Sequence, residues 1–423
     1  MASGTTEEQR RDRGLKPGEW KLLALLGLPT FAYALATTVA TTYLPVLASE
    51  FVTSTTVVGL LIGLEGVMAL LLAVPVGALS DRFGRRLPFV LAGTPPLVLA
   101  LALMGLANSV AVAALAAIVF FAGYFVAYEP YRAMYADLVD DEIAGRAQST
   151  QALWRGAGTI LAIAAGGVLL SVGDATPFVV GAAITALVVG AFAALLPRVA
   201  SLRAHPGDHG HARGVHAELS HLRRLLAERG DVRAFMVANA LMELALGALK
   251  TFIILYLSRG LGLTTSEAGL AVGGGALFIA VASPVSGKLA DRFGTVRVMR
   301  VALLVYGLGL LVPLVSADPV VVAAVAPVIA FGGGVVMTLP YALLIPLMDE
   351  GDHGLTTGLY SLSRGVGTAL GPLLAGVAIE SLAGAFGATH GYQAMWGVCA
   401  VAILAAVPVL GRLNDRAQDA RQA

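Results

Sequence analysis

Twelve apolar stretches, each long enough for an α-helix to cross the hydrocarbon core of a bilayer, follow one another along this chain. They lie near 21–48, 56–79, 88–107, 109–136, 149–172, 176–196, 232–258, 266–289, 296–316, 319–348, 355–382 and 391–411. Inside a bilayer no water satisfies the backbone N–H and C=O groups, so a chain built of such spans must be a helix bundle. Charged residues are 13% of the 423, about half the share found in soluble domains. The 50 glycines suit the same architecture, because small residues let membrane helices approach closely. The expected fold is an all-α membrane protein of twelve transmembrane helices.

The net charge of +1 conceals an asymmetry that orients these spans. With the spans drawn as above, Arg259 is the one basic residue in a connection on the outer side. The remaining Lys and Arg occupy the tails, the even-numbered loops or the spans themselves. The positive-inside rule then puts both termini in the cytoplasm. Residues 1–20 form a polar tail, and the apolar stretch after it is too long for the core of a cleaved signal peptide. Cys399, the one cysteine, falls inside the last span, which excludes an internal disulfide and a thiolate metal site. Basic charge is carried by 24 Arg against 4 Lys, in a sequence heavy in Ala, Val and Gly. This pattern suggests a GC-rich bacterial genome, and with it a plasma-membrane location.

One loop pattern occurs twice, 210 residues apart. Gly77-Ala78-Leu79-Ser80-Asp81-Arg82-Phe83-Gly84 returns as Gly287-Lys288-Leu289-Ala290-Asp291-Arg292-Phe293-Gly294. Gly59-Leu60 matches Gly269-Leu270, and Pro130-Tyr131 matches Pro340-Tyr341, at the same offset. Arg155-Gly156-Ala157-Gly158-Thr159 returns as Arg364-Gly365-Val366-Gly367-Thr368. These matches divide the chain into a six-helix half at 21–196, a linker at 197–231, a second half at 232–411 and a tail at 412–423. A parallel repeat of this kind puts a substrate cavity between the halves near mid-membrane.

The duplicated Gly-x-Leu-x-Asp-Arg-x-Gly loop between membrane helices resembles the signature of the major facilitator superfamily of secondary transporters. The resemblance spans the whole chain and implies two pseudo-symmetric halves, a monomer, a small-molecule substrate and alternating access. It also implies that the loop closes the cytoplasmic side. On this basis Gly77, Asp81, Arg82, Gly84 and Arg85 belong to a gate, with Gly287, Asp291 and Arg292 as second-half counterparts. Candidate acidic partners are Asp137, Asp140 and Asp141 after span four, and Asp349 and Glu350 after span ten. Arg residues in these loops also fix topology, and the two roles are compatible.

Ionisable groups inside spans are costly and mark function by default. Glu65 in span two and Glu243 in span seven lie near mid-depth, and Glu129 sits in span four, so these three are the proton-coupling candidates. Glu243 leads and Glu129 is second, for their depth and the lack of other cavity carboxylates, while a structural pair of Glu243 with Lys250, two turns along the same face, is the alternative. Arg132, Arg155 and Arg364 join the gate set, with an inner salt-bridge network and a substrate contact both open for them. Span one offers Tyr33, Thr37 and Thr41, and later spans offer Asn239, Lys250, Tyr256, Thr338 and Tyr341 as cavity-wall candidates suited to a polyol or sugar. The plainer account of the threonines is bonding to carbonyls one turn back.

Three further stretches resemble the glycoside–pentoside–hexuronide and sucrose–proton symporters, the Phe31-to-Pro45 region more loosely than the other two. Gly84-Arg85-Arg86-Leu87-Pro88-Phe89 matches their entry into span three, and Pro130-Tyr131-Arg132-Ala133-Met134-Tyr135-Ala136-Asp137-Leu138 their exit from span four. Proton-coupled sugar symport is therefore the leading expectation. Val74-Pro75 stands where that group carries span-two acids, which counts against sodium coupling. A drug or metabolite efflux antiporter is the alternative, weakened because Ala162-Ile163-Ala164-Ala165-Gly166-Gly167 lacks the Gly-Pro those pumps carry in span five. A non-transporting sensor is more remote. No phosphate-cradling loop, zinc-protease motif or nucleophile elbow occurs, so neither enzyme activity nor a cofactor is expected, and no nucleic-acid partner either. One charge crossing 100 mV supplies about 2.3 kcal/mol, enough for roughly fifty-fold accumulation. Between the halves, five histidines (His205, His209, His211, His216, His221) lie among glycines, which favours a solvated tether over a metal site, and Ala217 to Glu228 could form a surface helix.

Overall fold

The computed structural model of the chain describes residues 17–139, 143–200, 224–347 and 353–422. The linker histidines, the Ala217–Arg223 part of the surface helix, Asp140, Asp141, Asp349 and Glu350 lie outside the described residues. Within them the chain is entirely helical, and twelve helices are long and apolar enough to cross a membrane. In chain order these are α1 (Pro17–Ala48), α2 (Thr55–Phe83), α3 (Leu87–Met104), α4 (Val110–Leu138), α5 (Ala144–Leu170) and α6 (Thr176–Ala200). The second set is α7 (Gly230–Leu255), α8 (Thr265–Phe293), α9 (Thr295–Val315), α10 (Pro319–Thr338), α11 (His353–Ser381) and α12 (Ala394–Gln422).

Local chemistry sets the ends. Ser54, Ser109 and Asp318 accept backbone N–H groups at the starts of α2, α4 and α10, and Thr264 with Glu267 forms a reciprocal capping box on α8. Gly84 ends α2 in the left-handed region at φ 61°, which turns the chain straight into α3. Most limits shift by a few residues, the twelfth helix runs on to Gln422, and two spans change their helical form. The tenth, expected to run to 348, stops at Thr338; a five-residue helix (Pro340–Leu344) and a 3-10 turn (Ile345–Leu347) follow. Pro340 has no N–H to continue the ladder, so the break falls there. The seventh passes into a π-helical turn at Tyr256–Gly260, which shifts its helical phase.

An even number of helices brings both ends of the described chain to one face, here the terminal face, and the opposite face is the distal one. In the first half α1 packs on α5 and α6, and α4 on α2 and α3; the second half repeats this with α7 on α11 and α12, and α10 on α8 and α9. The halves meet along α2–α11 and α5–α8. Both seams are glycine-lined and run through the distal part of the bundle. Added Cβ atoms at Gly59, Gly63 and Gly66 would lie 2.2, 2.8 and 2.3 Å from backbone atoms of α11. On the second seam Gly167 meets Thr265 and Gly269. Among the described residues no packing of similar extent joins α4 or α5 to α10 or α11, so the bundle is closed distally and parted towards the terminal face.

Candidate functional site

The α2–α11 seam ends where its glycines are preceded by charges. Glu65 comes before Gly66 and Arg364 before Gly365, and Gly66 faces Gly365 and Ala369. Close backbone approach therefore delivers a carboxylate and a guanidinium to the mouth of the gap between the halves. A crevice opens there, lined by Glu65, Tyr124, Tyr128, Glu129, Arg132 and Arg364, with Phe125, Tyr360 and Thr368 beside them.

Three ion pairs surround it. Lys250 Nζ lies 3.6 Å from Glu65 Oε2, Arg364 Nε 3.8 Å from Glu243 Oε2, and Arg132 Nη1 3.7 Å from Glu129 Oε2. All three exceed the 2.7–2.9 Å of a charge-assisted hydrogen bond, and the buried Glu65 Oε2 makes none. The pairing differs from the sequence-based alternative. Glu243 and Lys250 share a face, but seven residues of helix separate them by about 10 Å, so each takes a partner from a neighbouring helix instead. Arg155 donates to Tyr128 Oη at 2.8 Å and makes no ion pair with a described residue. Tyr128 stacks on Tyr124 with centroids 4.8 Å apart, and the Arg132 guanidinium lies 5.9 Å from the Tyr128 ring centre.

Most of the cavity-wall candidates sit elsewhere. Thr37 and Thr41 are buried and bond back to the Tyr33 and Thr37 carbonyls at 2.8 and 2.7 Å, and Thr338 to Gly334 at 2.8 Å. An apolar surround leaves a threonine hydroxyl no better acceptor than the carbonyl one turn back. Tyr33 is fully buried and shares a 2.9 Å hydrogen bond with Thr94 of α3. Asn239 donates to Ser363 at 2.8 Å inside the second half. Tyr256, at the start of the π turn, packs edge-on against Trp396 of α12. Tyr341 meets Tyr360, which does line the crevice. Tyr124, Tyr128 and Tyr360 are the site residues that sequence reasoning missed; their one signal was proximity in sequence to Glu129 and Arg364.

At the terminal face the loop after α2 is organised by Arg86, not by Arg82 or Arg85. Arg86 pairs with Asp81, donates to Asp137 at 2.9 Å and to Ser80 at 2.7 Å, and so ties α2, α3 and α4 together. Burial alone would lower its pKa, but hydrogen bonds and charge from Asp137 and Asp81 hold it above the ordinary arginine value. Arg82 and Arg85 are exposed and make no ion pair with a described residue. Gly77 and Gly287 have open space around them, Asp291 is exposed, and Arg292 lies over the Phe293 ring. The distal face has a fastening not foreseen from sequence. Glu380 at the end of α11 accepts from Ser54 Oγ and Thr56 Oγ1, each at 2.7 Å, and from the Thr56 N–H at 3.2 Å. A carboxylate of one half thus caps a helix of the other.

The description "Major Facilitator Superfamily" fits residues 26–230 and 235–423 of this sequence. No curated protein sequence matches it significantly. Among solved structures, a bacterial homolog of the human lysosomal transporter Spinster, in an inward-facing and occupied conformation, aligns with a TM-score of 0.78. It is 16% identical, over 95% of this chain and 98% of that one. The nucleoside transporter NupG aligns with a TM-score of 0.73 and 15% identity, over 93% and 98%. A bacterial homologue of the iron transporter ferroportin, in an inward-facing state, gives 0.70 and 17%, over 93% and 98%. At these identities the likeness is one of fold.

Proposed function

The chain belongs to the major facilitator superfamily, and from that premise we propose that it carries a small organic solute across the membrane by alternating access, coupled to protons. One observation supports this reading above the others. A crevice ringed by charged side chains lies at the junction of two halves that are sealed on one side of it and parted on the other. Rocking of the halves about the glycine seams would exchange which side is sealed. The distribution of Lys and Arg supports a cytoplasmic terminal face, and on that reading parting on this face is an inward-open arrangement.

Glu243 is the proposed proton site and Glu129 the second. Glu243 has a 13% exposed side chain and a guanidinium 3.8 Å away. A proton on it would release Arg364, and that links protonation to whatever Arg364 holds next. Glu129 lines the crevice and stands in the same relation to Arg132. Glu65 is the third candidate, tied to Lys250. The sugar reading draws no support from the α1 threonines, whose hydroxyls are committed to their own helix.

The test is solute flux into proteoliposomes under an imposed pH gradient. We expect gradient-driven flux in the parent protein, and in Glu243→Gln a loss of the gradient's effect with solute binding kept. Gradient-driven flux intact in both Glu243→Gln and Glu129→Gln would refute the proton sites. Solute binding without net flux would make the protein a sensor. Outward solute movement against inward protons would make it an efflux antiporter.

A further inference from the structure

The charges around the crevice do not balance. At the crevice and the ion pairs beside it lie three carboxylates, Glu65, Glu129 and Glu243, and four cations, Arg132, Arg155, Lys250 and Arg364. The three acids are each matched to one base, leaving Arg155 with Tyr128 Oη as its acceptor. The excess is local. Arg132 and Arg364 line the crevice, and Arg155 bonds to Tyr128 on its wall.

An unbalanced positive charge is tolerable while the crevice opens to water. It becomes costly once the halves close and solvent is excluded, because a buried charge needs a partner. The ion pairs are also loose, at 3.6–3.8 Å, so their guanidinium and ammonium donors retain unused hydrogen-bonding capacity. Beside these donors is an aromatic wall, the Tyr124–Tyr128 stack with Phe125 edge-on to Tyr124.

We propose that the solute is an organic anion. Its carboxylate or phosphate group is held among Arg155, Arg132 and Arg364, and its ring lies along Tyr124 and Tyr128. One negative charge neutralises the resting cluster, and a second is accommodated when Glu243 takes a proton and frees Arg364. Solute charge then licenses closure, which favours loaded over empty carriers in crossing. This class departs from the neutral sugar expected from the loop motifs. It rests on the transport reading above, since a crevice that never closes would have no need of neutrality.

The experiment is equilibrium binding to the purified full-length protein of a panel of aryl carboxylates and aryl phosphates. Each is paired with its uncharged amide or alcohol, with uridine and sucrose as neutral references. We expect at least one acid to bind, and its uncharged twin to bind about tenfold more weakly or worse, the value of one charge-assisted contact. Arg155→Gln should reduce acid binding by a similar factor, and Arg155→Lys should restore part of it, which a merely misfolded variant would not do. Preference for phosphates over carboxylates would identify the head group. The inference is overturned if no acid binds, if acids and twins bind equally, or if Arg155→Gln leaves acid binding unchanged. Flux assays separate the two readings: transport of uridine or sucrose with no acid preference would keep the carrier and remove the anion. Acid binding without flux would do the reverse.

Discussion

Gly66 offers the sharpest test of how the halves are held together. A Cβ placed there would lie 2.3 Å from both Ala369 N and Gly365 O and 2.7 Å from Ala369 Cα. Ordinary contact begins near 3.4 Å. All three atoms are backbone, so no side chain can rotate away, and α11 must retreat from α2 by about 1 Å. Overpacking of this kind costs about 1–3 kcal/mol. The cost falls on the distally closed state alone, because the seam exists only there. Gly66→Ala should therefore shift the population towards distal opening by about 5- to 150-fold. The readout is a pair of interspin distances, one between Ser171 and Leu382 on the distal face and one between Arg82 and Arg292 on the terminal face. The native Cys399 is buried, with its thiol directed at the Ala245 carbonyl, and leaves a silent background for labelling. In Gly66→Ala the distal distance should lengthen as the terminal one shortens. Gly77→Ala, with nothing within 4 Å of its added Cβ, should leave both as in the parent. Unchanged distances in Gly66→Ala would show that the α2–α11 seam does not hold the distal face closed.

Glu380→Ala should raise hydrogen exchange at the first amides of α2 and loosen the distal face less than Gly66→Ala does, because the carboxylate is solvent-exposed; protection unchanged at Thr56 would remove the latch. Arg86→Gln should lower thermal stability by about 1–2 kcal/mol, after allowance for its exposed partner Asp81, while Arg82→Gln and Arg85→Gln stay within about 0.5 kcal/mol of the parent. Equal effects from all three arginines would show that the Arg86 contacts do not set the loop. Lys250→Gln and Glu65→Gln should each ease distal opening, and the double variant should add little to either. Additive effects would mean that the two side chains do not act as a pair.

Composition, span length and the 210-residue repeat made the twelve-helix architecture legible, because each rests on a property that packing cannot override. Partner choice was less legible. Sequence alone does not say which of Arg82, Arg85 and Arg86 meets Asp81; the left-handed turn at Gly84 decides it by folding the third arginine back over the end of α2. The central charges were visible as residues, but their pairing depends on the α2–α11 crossing, where Gly66 meets Gly365 and brings Glu65 and Arg364 to one place. The threonines of α1 carry the same letters whether they face a solute or their own helix. Only the surrounding burial chooses, and here it chooses the helix. Tyr256, at the end of the regular α-helix, packs on Trp396 rather than reaching the crevice, and spacing along one helix does not say which neighbour it meets.

The arrangement of the central ion pairs divides their labour. Glu129–Arg132 lies within α4, and Glu243–Arg364 joins α7 to α11 inside the second half, so rigid rocking of the halves leaves both pairs intact. Of the three, only Lys250–Glu65 joins the two halves, and it does so next to the Gly66 crossing. A proton or solute acting on either of the first two pairs changes the charge that closure must bury. Acting on the third, it changes the attraction between the halves directly. Alternating access needs both kinds of control, one to penalise closure of an unbalanced crevice and one to let the sealed side release. On the proposed reading, the three pairs and the one cation over, four of whose side chains line the crevice, would supply that combination.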